Sequence, residues 1–162
     1  MDWKQIFDPK HKIVITALLV VMTMLIAPCS IVAQDNPYKI DNDLFDLYQK
    51  AYKEKNNKKG FVLADSLYSL AKKRSNGKAA CLSLTVAAAY HRSRNDLKNF
   101  ENTVEMLKSE ARNVGLNTYF YYAYSLLSVY CLNTHRTMKA LQVIKEMGDV
   151  AYSENDNYGI HT

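Results

Sequence analysis

Three helix-like segments of this chain repeat at a fixed step of 40 residues. The step aligns three sets of small or apolar residues: Ala64, Val104 and Ile144; Leu67, Leu107 and Met147; and Ala71, Ala111 and Ala151. A fixed period of about 20 to 50 residues indicates a stacked-repeat architecture, in which each unit buries its apolar face against its neighbour. We therefore expect a binding scaffold that has no chemistry built into its fold.

Apolar residues recur at steps of three and four along these segments, as they do on the buried face of a helix. The first helix is predicted to begin at Asp41 and to end before a turn at 56–60, and further helices are predicted over 61–74, 78–92, 96–113, 118–133 and 137–153. No stretch alternates apolar and polar residues for long enough to predict a strand. The fold class is therefore all-α, and connections of about three to five residues pair the helices into three hairpins.

Glycine and asparagine mark the predicted helix ends. Gly77 and Gly115 are expected to adopt the left-handed conformation that closes a helix, and Asn155 takes the place of Gly115 one step later. Asn95 is expected to cap the start of the helix over 96–113.

The charge of the chain is a mild basic excess. The 162 residues include 21 Lys and Arg against 16 Asp and Glu. Five of the lysines fall in one short stretch: Lys50, Lys53, Lys55, Lys58 and Lys59. A solvated helix end and turn is the favoured interpretation, and a site for an anionic partner is the alternative. No aromatic residues alternate with these lysines in a docking pattern, which argues against nucleic acid.

The N-terminus has the three-part plan of an export signal. A weakly basic lead ends in Lys12, an uncharged stretch runs over 13–27, Pro28 breaks it, and a cut is expected before Gln34. One alternative is a retained membrane anchor through residues 13–33, since about 20 residues span a bilayer. Another is lipidation at Cys29. All three alternatives place the remainder of the chain outside the cytoplasm.

Two cysteines, Cys81 and Cys131, lie beyond this signal. The 40-residue step aligns Cys81 with Tyr121, ten residues before Cys131, which is about 15 Å along a helix. A disulfide needs Cα atoms within about 7 Å. We therefore expect two free, buried thiols.

The spacing within the second helices resembles that of the tetratricopeptide repeat family. The pairs Ala64 with Ala71, Val104 with Ala111 and Ile144 with Ala151 keep its seven-residue spacing. Tyr90 and Tyr130 are similar to its first-helix tyrosine, although the family's step is 34 and its first-helix tryptophan is missing here. The resemblance implies three helical hairpins stacked as a right-handed α-solenoid, with a groove lined by the first helices.

An export signal followed by divergent repeats looks most like the envelope-facing segments of bacterial sensor histidine kinases and related regulators. The expected organisation is a signal or anchor over 1–33, a linker over 34–40, repeats over 41–155 and the start of an incomplete further repeat over 156–162. The function that this resemblance implies is a protein-interaction or sensory module, acting as the input region of a signalling receptor. The alternative is an envelope lipoprotein or accessory binding protein.

Candidate partner-binding residues come from the first helices. The proposed face consists of Tyr90, Arg94, Tyr121, Ser125 and Ser128. Tyrosine suits an interface because it combines apolar area with a hydroxyl, although packing between repeats is the competing interpretation for this aromatic-rich stretch. The expected occupant is a protein or peptide segment.

No catalytic constellation can be assembled from the sequence. His91 and His135 lack a paired nucleophile or carboxylate, and no histidine or cysteine spacing fits a metal site. A phosphate-binding loop is missing as well. We expect neither an enzyme nor a cofactor, and interpret Glu101, Glu105 and Lys108 as an exposed helix face with ion pairs.

Overall fold

A computed structural model describes residues 36–156 and Gly159. These residues form six helices: α1 (Asn42–Lys53), α2 (Lys58–Lys73), α3 (Gly77–Ser93), α4 (Leu97–Asn113), α5 (Asn117–Asn133) and α6 (Thr137–Ser153). Each helix packs against the next along the chain, and α1 also packs against α3. No strand occurs within the described ranges, so the all-α prediction is confirmed, and the packing is compatible with a helical-repeat solenoid.

Two of the sequence predictions lie outside the described residues. The signal or anchor over 1–33 is one of them, and the further repeat over 156–162 is the other, except for Asp156 and Gly159. Among the helices that the structure describes, none is both long enough and apolar enough to cross a membrane.

A helix-ending turn recurs every 20 residues, at half the step seen in the sequence. The residue with positive φ in these turns is Ser75 at 54°, Asn95 at 53°, Gly115 at 67°, His135 at 59° and Asn155 at 52°. The N–H of the residue after each donates to the carbonyl five residues earlier, as Asp96 does to His91 at 3.0 Å and Leu116 to Ala111 at 2.8 Å. This is the hydrogen bond of the Schellman motif, which satisfies a carbonyl at the end of a helix. The 40-residue repeat therefore consists of two helix-and-turn units of equal length.

The predicted roles of Gly77 and Asn95 are wrong. The left-handed residue that ends α2 is Ser75, and Gly77 instead begins α3, where a Cβ would lie 2.4 Å from Cγ1 of Val114. Asn95 is itself the left-handed residue that ends α3, and the N-cap of α4 is Asp96. The predictions for Gly115 and Asn155 are confirmed.

Most of the positions that the 40-residue step aligns lie in the core. Leu67 and Leu107 are completely buried, as are Ala71, Ala111 and Ala151, while Met147 is half-buried. Burying a leucine side chain contributes about 2 kcal/mol, so this column of equivalent positions is a main source of stability. Cys81 and Cys131 are free and buried, as predicted.

Ion pairs connect the second helices of successive hairpins. Lys72 on α2 donates to both carboxylate oxygens of the buried Glu110 on α4, each at 2.9 Å. Farther along, Arg112 on α4 pairs with Glu154 next to α6, and Lys139 on α6 pairs with Glu101 on α4. These contacts fix the register between hairpins, in addition to the apolar packing.

Candidate functional site

The first helices enclose a groove of about 420 Å³ that we call the tyrosine groove. The lining residues are Tyr38, Tyr48, Tyr52, Leu82, Thr85, Thr118, Tyr119, Tyr122 and Ser125. The middle helix α3 contributes only Leu82 and Thr85 and is otherwise rich in alanine, whereas α1 and α5 contribute tyrosines. The smaller side chains of α3 therefore form the floor of the groove, and the tyrosine side chains on the α1 and α5 sides form its two walls.

The α1 wall is a row of three tyrosine rings. Tyr38, which precedes α1, packs edge-on against Tyr48 with ring centroids 5.2 Å apart, and the two hydroxyl oxygens lie 3.5 Å apart. Tyr52 follows one helical turn later, 5.7 Å from Tyr48. Burial, followed by the hydrogen bond with Tyr38, raises the pKa of Tyr48. The Tyr48 phenol therefore stays uncharged throughout the physiological pH range.

The α5 wall carries Tyr119 and Tyr122. Burial raises the pKa of Tyr119 to about 12, so this phenol is also neutral. Tyr122 is 44% exposed, and Tyr52 on the facing wall is 48% exposed. Two large aromatic rings thus remain available to a ligand on opposite sides of the α3 floor.

Eight of the nine lining residues carry a hydroxyl, and none carries a charge. Thr85 donates to the Leu82 carbonyl at 2.7 Å, and Ser125 donates to the Tyr121 carbonyl at 3.2 Å. The hydroxyls of Tyr52, Tyr119 and Tyr122 have no hydrogen-bond partner within the described part of the chain. The groove can therefore stack against a ligand and donate hydrogen bonds to it.

Only one residue of the face predicted from the sequence lines the tyrosine groove, and that is Ser125. Tyr121 is completely buried and donates to Asp156 Oδ2 at 3.0 Å, and its ring lies against Gly159. Ser128 is also buried and donates to the Ser125 carbonyl at 3.1 Å. Tyr121 and Ser128 therefore belong to the core in this structure.

Tyr90 and Arg94 lie together at the end of α3, away from the groove lining. Tyr90 stacks on Phe61 of α2 with ring centroids 4.8 Å apart and planes at 25°, and the Arg94 guanidinium carbon lies 5.0 Å from the Tyr90 centroid. His91 packs against the same Phe61 ring. These side chains join the first hairpin to the second, so the structure divides the predicted face among three places.

A second concave surface lies between α4 and α6, with a volume of about 460 Å³. Its charges are largely paired within the surface. Lys108 contacts Glu105 at 2.7 Å and Glu146 at 3.7 Å and lies over the Tyr124 ring, and Tyr124 donates to Glu146 at 3.1 Å. The ion pairs agree with the interpretation from the sequence, but Lys108 is not on an exposed face, because only 12% of its side chain is exposed. No group of His, Cys, Asp and Glu in the described ranges is arranged to hold a metal ion.

Comparison of the chain with protein-family models, with curated proteins and with solved structures finds no match.

Proposed function

We propose that this protein is a protein-interaction or sensory module that binds a segment of a partner protein in the tyrosine groove. The half exposure of Tyr52 and Tyr122 on facing walls carries the proposal. Tyrosine is enriched in interfaces because its ring buries a large area at low entropic cost while its hydroxyl makes a specific hydrogen bond. Burying these two rings would give a partner most of its affinity.

The wider proposal follows the resemblance to tetratricopeptide repeats. On that basis the hairpins form a right-handed solenoid, the chain is exported by residues 1–33 and faces the periplasm, and the module is the input region of a signalling receptor. The second candidate, an envelope lipoprotein or accessory binding protein, is favoured by Cys29 alone. Both candidates use the same groove and differ in how the chain is attached to the membrane.

Selection of peptides tests the binding proposal. A displayed library of random peptides is selected on the full chain and counter-selected on the Tyr52→Ala/Tyr122→Ala double variant. We expect selected peptides that lose binding in the double variant and keep it in Tyr152→Ala, which removes a ring that is 71% exposed on α6. Peptides that bind all three chains equally, or no enrichment at all, would contradict the proposal.

The N-terminus of the protein recovered from cells tests the export proposal. A chain that begins at Gln34 supports cleavage, an intact chain in the membrane fraction supports the anchor, and a lipid mass on Cys29 supports the lipoprotein candidate. An intact, unmodified chain in the cytoplasm would contradict all three.

A further inference from the structure

The chemistry of the tyrosine groove restricts what can occupy it. No carboxylate, ammonium or guanidinium lines it, so a charged ligand group placed inside would lose its hydration without gaining an opposite charge. No Asn or Gln side chain lines the groove either. The lining therefore has no planar side-chain amide that could hold two neighbouring hydroxyls of a sugar at once. The occupant is therefore expected to be uncharged where it touches the groove and to need only single hydrogen bonds.

The free hydroxyls favour a ligand that is rich in acceptors. Tyr52, Tyr119 and Tyr122 have phenol O–H groups without partners in the described chain. A polyproline II segment presents carbonyl oxygens that make no internal hydrogen bonds, and proline has no N–H that would need an acceptor in return. Such a segment also loses little conformational entropy on binding, because it is already extended.

The two walls of the groove suit the threefold shape of this backbone. Polyproline II has about three residues per turn, so successive proline rings point to different sides of the segment. A segment lying along α3 would therefore present one ring to Tyr52 and another to Tyr122 on the opposite wall.

One end of the groove is positively charged. Lys55 Nζ lies 3.8 Å from the Tyr52 ring centroid, next to the end of α1. Lys50, Lys53 and Lys55 form no ion pair within the described residues, and the neighbouring Glu54 pairs with Lys59. An acidic residue that leaves the groove at this end would meet unneutralised positive charge.

We propose that the tyrosine groove binds a proline-rich peptide segment in the polyproline II conformation, with an acidic residue beside Lys55. This inference rests on the function proposed above and adds the chemical class of the partner segment.

Fluorescence polarisation with labelled synthetic peptides tests the inference on the full chain. The probe is a run of about six prolines, about 19 Å long in polyproline II, with a glutamate at each end. One control peptide replaces the prolines with glycine and serine and keeps the glutamates, and a second replaces the glutamates with glutamine. We expect the proline peptide to bind about tenfold tighter than the glycine–serine peptide, which is the difference expected from one well-packed ring contact.

Variants separate stacking, hydrogen bonding and charge. Tyr52→Ala and Tyr122→Ala should each lower the affinity for the proline peptide by about tenfold. Tyr52→Phe and Tyr122→Phe keep the ring and should lower this affinity less. Lys55→Glu should weaken the glutamate peptide and leave the glutamine peptide unchanged. Tyr152→Ala serves as the matched exposed-ring control, and circular dichroism verifies that each variant is folded.

The outcomes separate this inference from the function on which it rests. Equal affinity for the proline and glycine–serine peptides would overturn the inference, and so would binding of a neutral oligosaccharide that competes at Tyr52 and Tyr122. If selected peptides contain no proline but still depend on those two tyrosines, the proposed function stands and the inference fails. If no peptide of any composition binds, both fail.

Discussion

At the scale of single residues, glycine is required where two backbones meet. Gly60 lies in the first turn of α2 and donates its N–H to the side chain of the N-cap Asn57 at 3.2 Å. A Cβ at Gly60 would lie 2.1 Å from the Glu54 carbonyl oxygen, so α2 could not stay against the end of α1. Gly148, inside α6, has nothing within 4 Å of the same position.

Gly60→Ala and Gly148→Ala should therefore have opposite effects on stability. We expect Gly60→Ala to lower the free energy of unfolding by about 2 kcal/mol, because the contact is with backbone and forces a shift. Gly148→Ala should raise it by about 0.5–1 kcal/mol, because alanine has the higher helix propensity. Urea unfolding measures both, and equal effects of the two changes would refute this account of Gly60.

At the same scale, the aromatic stretch on α5 is evident from the sequence, but its composition alone does not separate the buried face from the groove face. The 40-residue step aligns Tyr121 with the buried Cys81, and it aligns Tyr122 and Ser125 with the groove residues Leu82 and Thr85. Applying the step to this stretch would have placed Tyr121 in the core. Tyr38 could not be found in this way, because it precedes the first repeat and has no equivalent.

At the scale of the elements, helices α3 to α6 each have 17 residues, and a three-residue turn follows each of α2 to α5. The residues in left-handed conformation at these four turns and after α6 are Ser75, Asn95, Gly115, His135 and Asn155. The residue type differs from turn to turn, and the backbone geometry is what repeats. The helices and the 40-residue step are therefore predictable from the sequence, whereas the 20-residue unit is not. The predicted roles of Gly77 and Asn95 are wrong for this reason.

His135→Gly should stabilise the turn between α5 and α6. The φ of His135 is 59°, a conformation that costs a non-glycine residue about 1 kcal/mol, so we expect the free energy of unfolding to rise by up to about that amount. Gly115→Ala is the reverse change at the preceding turn, between α4 and α5, where φ is 67° and nothing lies within 4 Å of an added Cβ. It should destabilise by about 1 kcal/mol through backbone strain alone. Thermal unfolding that shows no opposite pair of shifts would contradict the turn assignment.

At the scale of the whole molecule, equivalent positions differ in burial according to which hairpin covers them. Val104 and Ala64 are buried, whereas Ile144 at the same repeat position is 43% exposed. Leu107 is completely buried, and its equivalent Met147 is half-buried. Each second helix is thus covered by the hairpin that follows it, and α6 is covered less by the residues that the structure describes.

Leu107→Ala and Met147→Ala test this arrangement. Removing Leu107 leaves a cavity in a packed core and should cost about 3 kcal/mol, whereas Met147→Ala should cost about 1 kcal/mol because part of that side chain already contacts solvent. Both values come from chemical denaturation of the full chain. A larger cost at Met147 than at Leu107 would contradict the stacking order.

The most direct test of the central claim is NMR of the tyrosine rings in the full chain while a selected peptide is added. If a partner segment binds in the tyrosine groove, the ring signals of Tyr52, Tyr119 and Tyr122 shift, and those of Tyr90 and Tyr152 stay in place. Shifts at Tyr90 with none at Tyr52 or Tyr122 would instead move the binding face to the end of α3, and shifts confined to Tyr152 would move it to α6. Either of these results would contradict the account.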